Sequence, residues 1–458
     1  MAMGKRRKKQ GGLFVLAEDL PKSPGHPFYG RLNELLEKAG FDRYVESRCR
    51  KFYAAKLGRP SMAPGMYFRV VLMGYFEGLE SERGMSWRAS DSLALRSFLG
   101  LSLNEGTPDH STISRTRRLI DVETHSEVFS WVLSRLSETG LVDGKTIGID
   151  ATTLEANAAM RSIVRRDTGE SYTDFLKGLA KASGIKTPTR AAMVRLDRMR
   201  KKKGSNVEWM SKSDPDSRIA KMKDGRTRLG HKAEQAVDMK TGAIVAVTIQ
   251  GADQGDTTTI EKTVREAQAQ IERIHGDAKL KKVVTDKGYH STAVLESLDA
   301  QGLQAYVSVP MQHRRKWRGD LNARRTVYAN RRRSQGKYGQ TLQKLRGERC
   351  ERPFAHMYRT GGLRRTQVRG HENVLKRVLV HSSAFNLSLL MRTICGVGTP
   401  RSLQGRIRAV LAALASLSST LERFLRPRRD VRGFSRQLVD QRIDDVMTPA
   451  KVAFTTGC

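Results

Sequence analysis

TIGIDATTLEA, residues 146–156, sets an apolar run, Ile147-Gly148-Ile149, directly against the carboxylate of Asp150. Residues 145–153 therefore predict a core strand closed by an acid. KKVVTDKGYH, residues 281–290, repeats the arrangement: Val283, Val284 and Thr285 predict a buried strand, and Asp286 closes it. Between these runs, 230–239 (GHKAEQAVDM) and 243–250 (AIVAVTIQ) predict a hairpin turning through Lys240, Thr241 and Gly242. DTTTIEKTVREAQAQIERI, residues 256–274, predicts a helix capped by Asp256 or a neighbouring Thr, with Ile260, Val264, Ala267 and Ile271 on one face. STAVLESLDAQG (291–302) predicts a helix ending in Gly302, and AYVSVP (305–310) another strand. The order β-β-β-α-β-α-β, followed by helices, predicts an α/β fold with a mixed sheet and helices on both faces.

In such a sheet, ligands gather at the carboxyl ends of adjacent strands, so Asp150 and Asp286 are expected to converge there. A third acid, Glu351 in RGERCERPFAHMYR (346–359), stands just before Pro353. Proline is tolerated in a helix's first turn, so Glu351 is expected at a helix start. Glu348, one turn earlier, is the alternative third acid. Three such carboxylates can hold two Mg²⁺ about 4 Å apart, with Mn²⁺ able to take their place. The same residues also suit plainer roles, since a strand-ending Asp often forms a turn and a Glu near a helix start interacts with its dipole.

What makes the acids informative is their setting. The chain carries 83 Lys+Arg against 47 Asp+Glu, a net charge of +36, over 458 residues. That balance favours polyanionic partners, nucleic acid first. No apolar run approaches the ~20 residues that span a bilayer, and MAMGKRRKKQGG at the N-terminus has no following apolar stretch, so a soluble, intracellular protein is expected. Cys49, Cys350, Cys395 and Cys458 stand singly, supporting neither a disulfide framework nor a zinc finger.

Four regions are expected along the chain. Residues 1–30 read as a basic flexible arm, and 31–138 as an all-α domain. Residues 139–395 hold the α/β domain with a polar insertion at about 158–228, part helical (AAMVRLDRMRKK, 191–202) and part disordered. Residues 396–458 read as an Ala/Leu-rich helix and a polar tail. In the all-α domain, 66–79 predicts a central buried helix. TPDHSTISRTRRLI (107–120) predicts a short N-capped helix bearing Arg115, Arg117 and Arg118, a helix-turn-helix-like DNA reader or a solvated basic face. A second basic stretch, 313–339, interleaves Trp317, Tyr328 and Tyr338 with Arg and Lys. This pattern suits phosphate contact with base stacking, or a solvated loop with local packing. Lys287 beside Asp286, and Arg359, Arg364, Arg365 and Arg369 after Glu351, are candidate DNA contacts.

Several of these stretches, in order, resemble the DDE transposases of bacterial insertion sequences, whose catalytic domain is ribonuclease H-like. They are GYFEGLESERGMSWRASDSLALRSFLGL (74–101), TPDHSTISRTRR (107–118), GIDATTLEANA (148–158), GADQGDTTTI (251–260), VTDKGYHS (284–291), ERPFAHMYRTGGLRRTQVRG (351–370) and AFNLSLLMR (384–392). The resemblance implies that Asp150, Asp286 and Glu351 are the metal-binding, catalytic acids. It further implies binding of double-stranded DNA at element ends and target, cleavage, strand transfer, and at least a homodimer in the paired complex, within a bacterial cytoplasm. Asp256 also resembles a family position, while His231 stands where many relatives have Tyr. His290, His356 and His371 are not needed as bases in two-metal chemistry. A non-catalytic DNA-binding descendant and a stand-alone nuclease are the competing expectations.

Overall fold

The computed structural model describes residues 26–54, 61–200, 205–222, 224–276, 279–310, 317 and 319–403. The N-terminal arm before residue 26 and the C-terminal helix and tail from 404 lie outside them. The described residues belong to one compact unit.

Helices fill its first third: α1 (Pro27–Lys38), α2 (Phe41–Cys49), α3 (Pro64–Glu77), α4 (Glu82–Asp91), α5 (Leu93–Phe98), α6 (His110–Leu119) and α7 (Val122–Glu138). As its apolar composition requires, α3 is buried around nearly its whole circumference. Asp109 caps α6, its side chain accepting from Ser111 N, as expected from the sequence.

Next comes the sheet: β1 (Thr146–Glu155), β5 (Thr227–Asp238), β6 (Ile244–Gly251), β7 (Lys282–Thr285) and β8 (Gln304–Val307), in the order β6-β5-β1-β7-β8. β1 runs antiparallel to β5 and parallel to β7, and β7 parallel to β8. One face carries α10 (Asp256–His275); the other carries α13 (Lys337–Arg359) and its neighbour α12 (Leu321–Gln335). Gly255, not Asp256 or a Thr, occupies the N-cap of α10, and Asp256 is its first residue. α11 (Thr292–Ala300) ends as expected before Gly302, which has φ +72°.

The outer strands β6 and β8 are each closed by a helix-borne asparagine. Asn386, on α14 (His371–Cys395), accepts from Ile244 N at 2.9 Å and donates to Ile244 O at 2.8 Å on β6. Asn330 on α12 makes the same pair of bonds to Val307 on β8, both at 2.9 Å. A carboxamide presents one donor and one acceptor, so it pairs with an open strand edge as another backbone would. Both asparagines are fully buried.

Three expectations need correction. The span His371–Leu403 is long and apolar enough to cross a membrane, which the sequence reading missed; 72% of its apolar window is buried, because α14 packs against α3, α7 and β6 as a core helix. The insertion is largely ordered. It forms β2 (Ile163–Arg165), α8 (Tyr172–Ala182), α9 (Arg190–Met199), β3 (Trp209–Ser211) and β4 (Arg218–Lys221) around a separate small core of Ala156, Ile163, Trp209 and Leu229. Its β4 extends the main sheet along the N-terminal end of β5. Most of the second basic stretch is α12, not a loop. Its aromatics pack locally: Tyr338 meets Tyr306 at 5.8 Å and Lys282 Nζ at 4.6 Å, and Tyr328 meets Trp317 at 6.0 Å.

Candidate active site

Asp150 lies in the middle of β1, not at its end, because antiparallel pairing with the long β5 carries β1 on to Glu155. Its relation to Asp286 follows from register. Gly148 pairs with Val284 in the parallel β1–β7 ladder, and Asp150 and Asp286 each stand two residues farther on. Strand alternation returns both to the face and level set by that pair. The backbone of Asp286 is still extended (φ −78°, ψ −176°), and its side chain accepts from Gly288 N at 2.9 Å, capping the short turn Lys287–Tyr289.

α13 covers the same face. A Cβ on Gly148 would lie 2.5 Å from Cys350 Sγ, so glycine is needed there for the helix to approach. Gln235, opposite Asp150 on β5, donates to Met357 Sδ on α13 at 3.2 Å. Farther along β1 the hydroxyls of Thr152 and Tyr358 share a hydrogen bond. β1 and α13 thus run the same way, with Cys350 at Gly148 and Tyr358 at Thr152 bracketing the level of Asp150.

Glu351 is therefore a mid-helix residue, and the expected helix start is wrong. Pro353 sits inside the 23-residue α13, where its missing N–H leaves the Arg349 carbonyl without its helical donor. Burial of Cys350, Pro353, Phe354 and Met357 keeps the helix continuous through it. Glu351 and Tyr358 are seven residues apart, about two turns, so they share the flank that faces Thr152. Glu348 points about 80° away from Tyr358 around the axis and pairs with Arg352 at 3.6 Å. Cys350 records its neighbours: burial, then the Asp150 carboxylate, pushes its thiol up to about 12, with Glu351 adding to the effect and Arg346 opposing it. Arg346 Nη1 stands 3.9 Å from Asp150 Oδ2. Arg346 was missed in the sequence; its signal is the spacing Leu342, Arg346, Cys350, Phe354, which places it on the covered stripe of α13.

Oxygen-only donors suit a hard divalent cation. Among the described residues, no three His, Cys, Asp or Glu side chains are close enough to hold a metal by themselves. The two aspartates are brought to one level, and Glu351 flanks them from the helix.

The basic candidates divide by what they touch. Arg364 lines an open cleft of about 340 Å³ with Thr152, Thr153, Tyr358 and Arg228. Lys287 and Arg359 are exposed. Arg365 stands 4.0 Å from Glu155, and Arg369 Nε donates to Asn157 O at 3.2 Å. On α6, Arg115 and Arg118 are exposed, whereas Arg117 is committed to Glu82 at 2.7 Å and to Asn373, tying α6 to α4 and α14. His231 is buried 3.0 Å from Asp214, its ring edge-on to His371 at 5.2 Å, and burial lowers the pKa of His356 and His371.

Residues 16–119 match the family described as "Transposase domain (DUF772)", and residues 182–387 match "Transposase DDE domain". Together the two matches span about two thirds of the chain. The second includes Asp286 and Glu351 but begins after β1 and so does not include Asp150. No curated protein matches the chain. The chain belongs to the insertion-sequence DDE transposases, and its sheet is the ribonuclease H-like fold of that family. It is a transposase enzyme of nuclease type, in a family that uses divalent metal ions and acts on DNA.

Proposed function

We propose that this transposase binds the terminal inverted repeats of its element, cleaves the DNA there and joins the freed 3′-hydroxyls to target DNA, with Asp150, Asp286 and Glu351 as its catalytic acids. The observation that carries this reading is the shared level of Asp150 and Asp286 on adjacent parallel strands, with Glu351 on the α13 flank that reaches Thr152 through Tyr358.

Asp150 and Asp286 would hold hard cations from the rigid sheet, and Glu351 would close the set from α13. Two Mg²⁺, or Mn²⁺, would supply activation of the attacking oxygen and neutralisation of charge at the leaving one. Arg364 in the cleft beside Thr152 and Tyr358, with the exposed Lys287 next to Asp286 and Arg359 next to Tyr358, would seat the phosphates on either side of the scissile bond, fixing the in-line geometry on which most of the rate depends. Arg346, 3.9 Å from Asp150 Oδ2, would offset part of the negative charge on this face. Arg115 and Arg118 on α6 are the outward contacts for end DNA; Arg117 is left out because its guanidinium is already engaged. Pairing of two ends implies at least a dimer in the active complex.

Asp150→Asn and Asp286→Asn are expected to abolish divalent-dependent cleavage of end-containing DNA while leaving DNA binding nearly intact. Equal inactivity of wild type and both variants, with binding preserved, would establish the non-catalytic DNA-binding descendant instead.

A further inference from the structure

On the sheet face opposite Asp150 lies a buried charged network that neither the family assignment nor the acids require. Glu234 pairs with Ala151, one residue on from the Asp150–Gln235 pair, so it projects to the α10 side. It is 0% exposed. Its Oε1 accepts from Tyr289 Oη at 2.8 Å and from Thr259 Oγ1 at 2.9 Å, and its Oε2 accepts from Thr263. Lys232, two residues before it on β5, places Nζ 3.8 Å from Glu234 and 2.6 Å from Asp256 Oδ1. The other Asp256 oxygen presses on the turn after Asp286: a Cβ on Gly288 would lie 2.6 Å from Asp256 Oδ2 and 3.1 Å from Asp286 Oδ1.

Three hydroxyls donate to Glu234, and Lys232, its nearest counter-charge, also donates to Thr259 Oγ1 at 2.9 Å and to Gln254 O at 3.3 Å. A carboxylate is costly to bury unless it is so paired. The partner the network selects is Tyr289, 1% exposed, three residues past Asp286. The 286–289 turn is thus held from two sides: Glu234 anchors its last residue, and Asp256, fixed by Lys232, packs against its glycine.

We propose that Glu234 with Tyr289, and Lys232 with Asp256, are positioning residues that set the 286–289 turn and so aim the Asp286 carboxylate at the metal. This rests on the reading of Asp286 as a metal ligand. Outer partners that orient a ligand change metal affinity typically by about 10–100-fold.

The test is Mn²⁺ binding to the full chain, followed by calorimetry, beside the Mn²⁺ dependence of end cleavage. Tyr289→Phe removes one hydroxyl and keeps the ring. It is expected to weaken Mn²⁺ binding about 10-fold, raise the Mn²⁺ needed for half-maximal cleavage in parallel, and recover rate at high Mn²⁺. Metal-free melting and end binding should stay close to wild type. Gly288→Ala, at an exposed position, should reproduce the weakened binding by pushing the turn off Asp256. Wild-type Mn²⁺ affinity in both variants would overturn the proposal. Asp286→Asn separates the two readings: if it keeps Mn²⁺ binding and cleavage, the ligand assignment itself fails, whereas its loss beside unaffected Tyr289→Phe and Gly288→Ala removes only the positioning role.

Discussion

At the residue scale the acids differ in how they are held, and the difference decides which substitutions matter. Asp150 and Asp286 come from backbone fixed by hydrogen-bonded strands, whereas Glu351 depends on the rotation of one helix. Glu348 and Glu351 are three residues apart, and sequence alone leaves either able to complete the set. α13 separates them by giving its inner stripe to Arg346, Cys350 and Met357, its site-facing flank to Glu351 and Tyr358, and its outer side to Glu348 with Arg352. Glu351→Gln is accordingly expected to lower end cleavage on the order of a thousand-fold, the scale of losing a group aimed at transition-state charge. Glu348→Gln, which removes an exposed pair of little energetic weight, should leave it within about 2-fold. Single-turnover cleavage of end-containing DNA checks both, and an inactive Glu348→Gln beside an active Glu351→Gln would exchange the assignments.

At the scale of elements, what the sequence disclosed depended on whether burial was apolar. β6, β7, α10 and α11 were legible because Val, Ile and Leu recur with their strand or helix period. α12 was not, because the residues it buries are Ala323, Thr326, Asn330 and Ser334. That stripe has helical spacing but bonds to the β8 edge, Ser334 Oγ donating to Val307 O at 3.0 Å beside Asn330, so a hydrophobic pattern is silent there. Pro353 hid the middle of α13 by imitating a first turn. The insertion was misread for a third reason: β2 and β3 have three residues each, too few to show a period. Its order is concentrated in Trp209, 0% exposed and edge-packed by Tyr172 at 5.0 Å and Phe175 at 5.3 Å. Trp209→Ala should cost about 3–5 kcal/mol locally, raising hydrogen exchange across β2, β3 and α8 while α14 keeps its protection. Equal loss in α14 would show that the insertion is not a separate cooperative unit.

Over the whole molecule, the helical region and the sheet are joined by α14, and the shared core imposes a pH dependence that the +36 charge alone does not suggest. Two histidines are enclosed where α3 meets α7 and α14. His125 donates from Nδ1 to Asp121 O at 2.8 Å, which leaves Nε2 to accept from Tyr67 Oη at 3.1 Å. Burial holds its pKa down to about 3. His381, 0% exposed, makes no hydrogen bond with either ring nitrogen, and burial followed by the nearby Arg377 places its pKa well below the ordinary value. Both fold as neutral imidazoles. In the unfolded chain each takes up a proton near pH 6.5, so below that pH the unfolded state binds more protons than the folded one. Stability is then fully present above about 6.5 and falls as the pH drops toward the folded pKa, by up to about 1.4 kcal/mol per pH unit for each histidine. His381→Leu removes one such site from a place where the imidazole has no polar partner. It is expected to raise the melting temperature at pH 5 more than at pH 7.5 and to flatten the acid limb of the stability profile. Parallel profiles for wild type and His381→Leu between pH 7.5 and 5 would mean that His381 is charged in the fold, despite its burial.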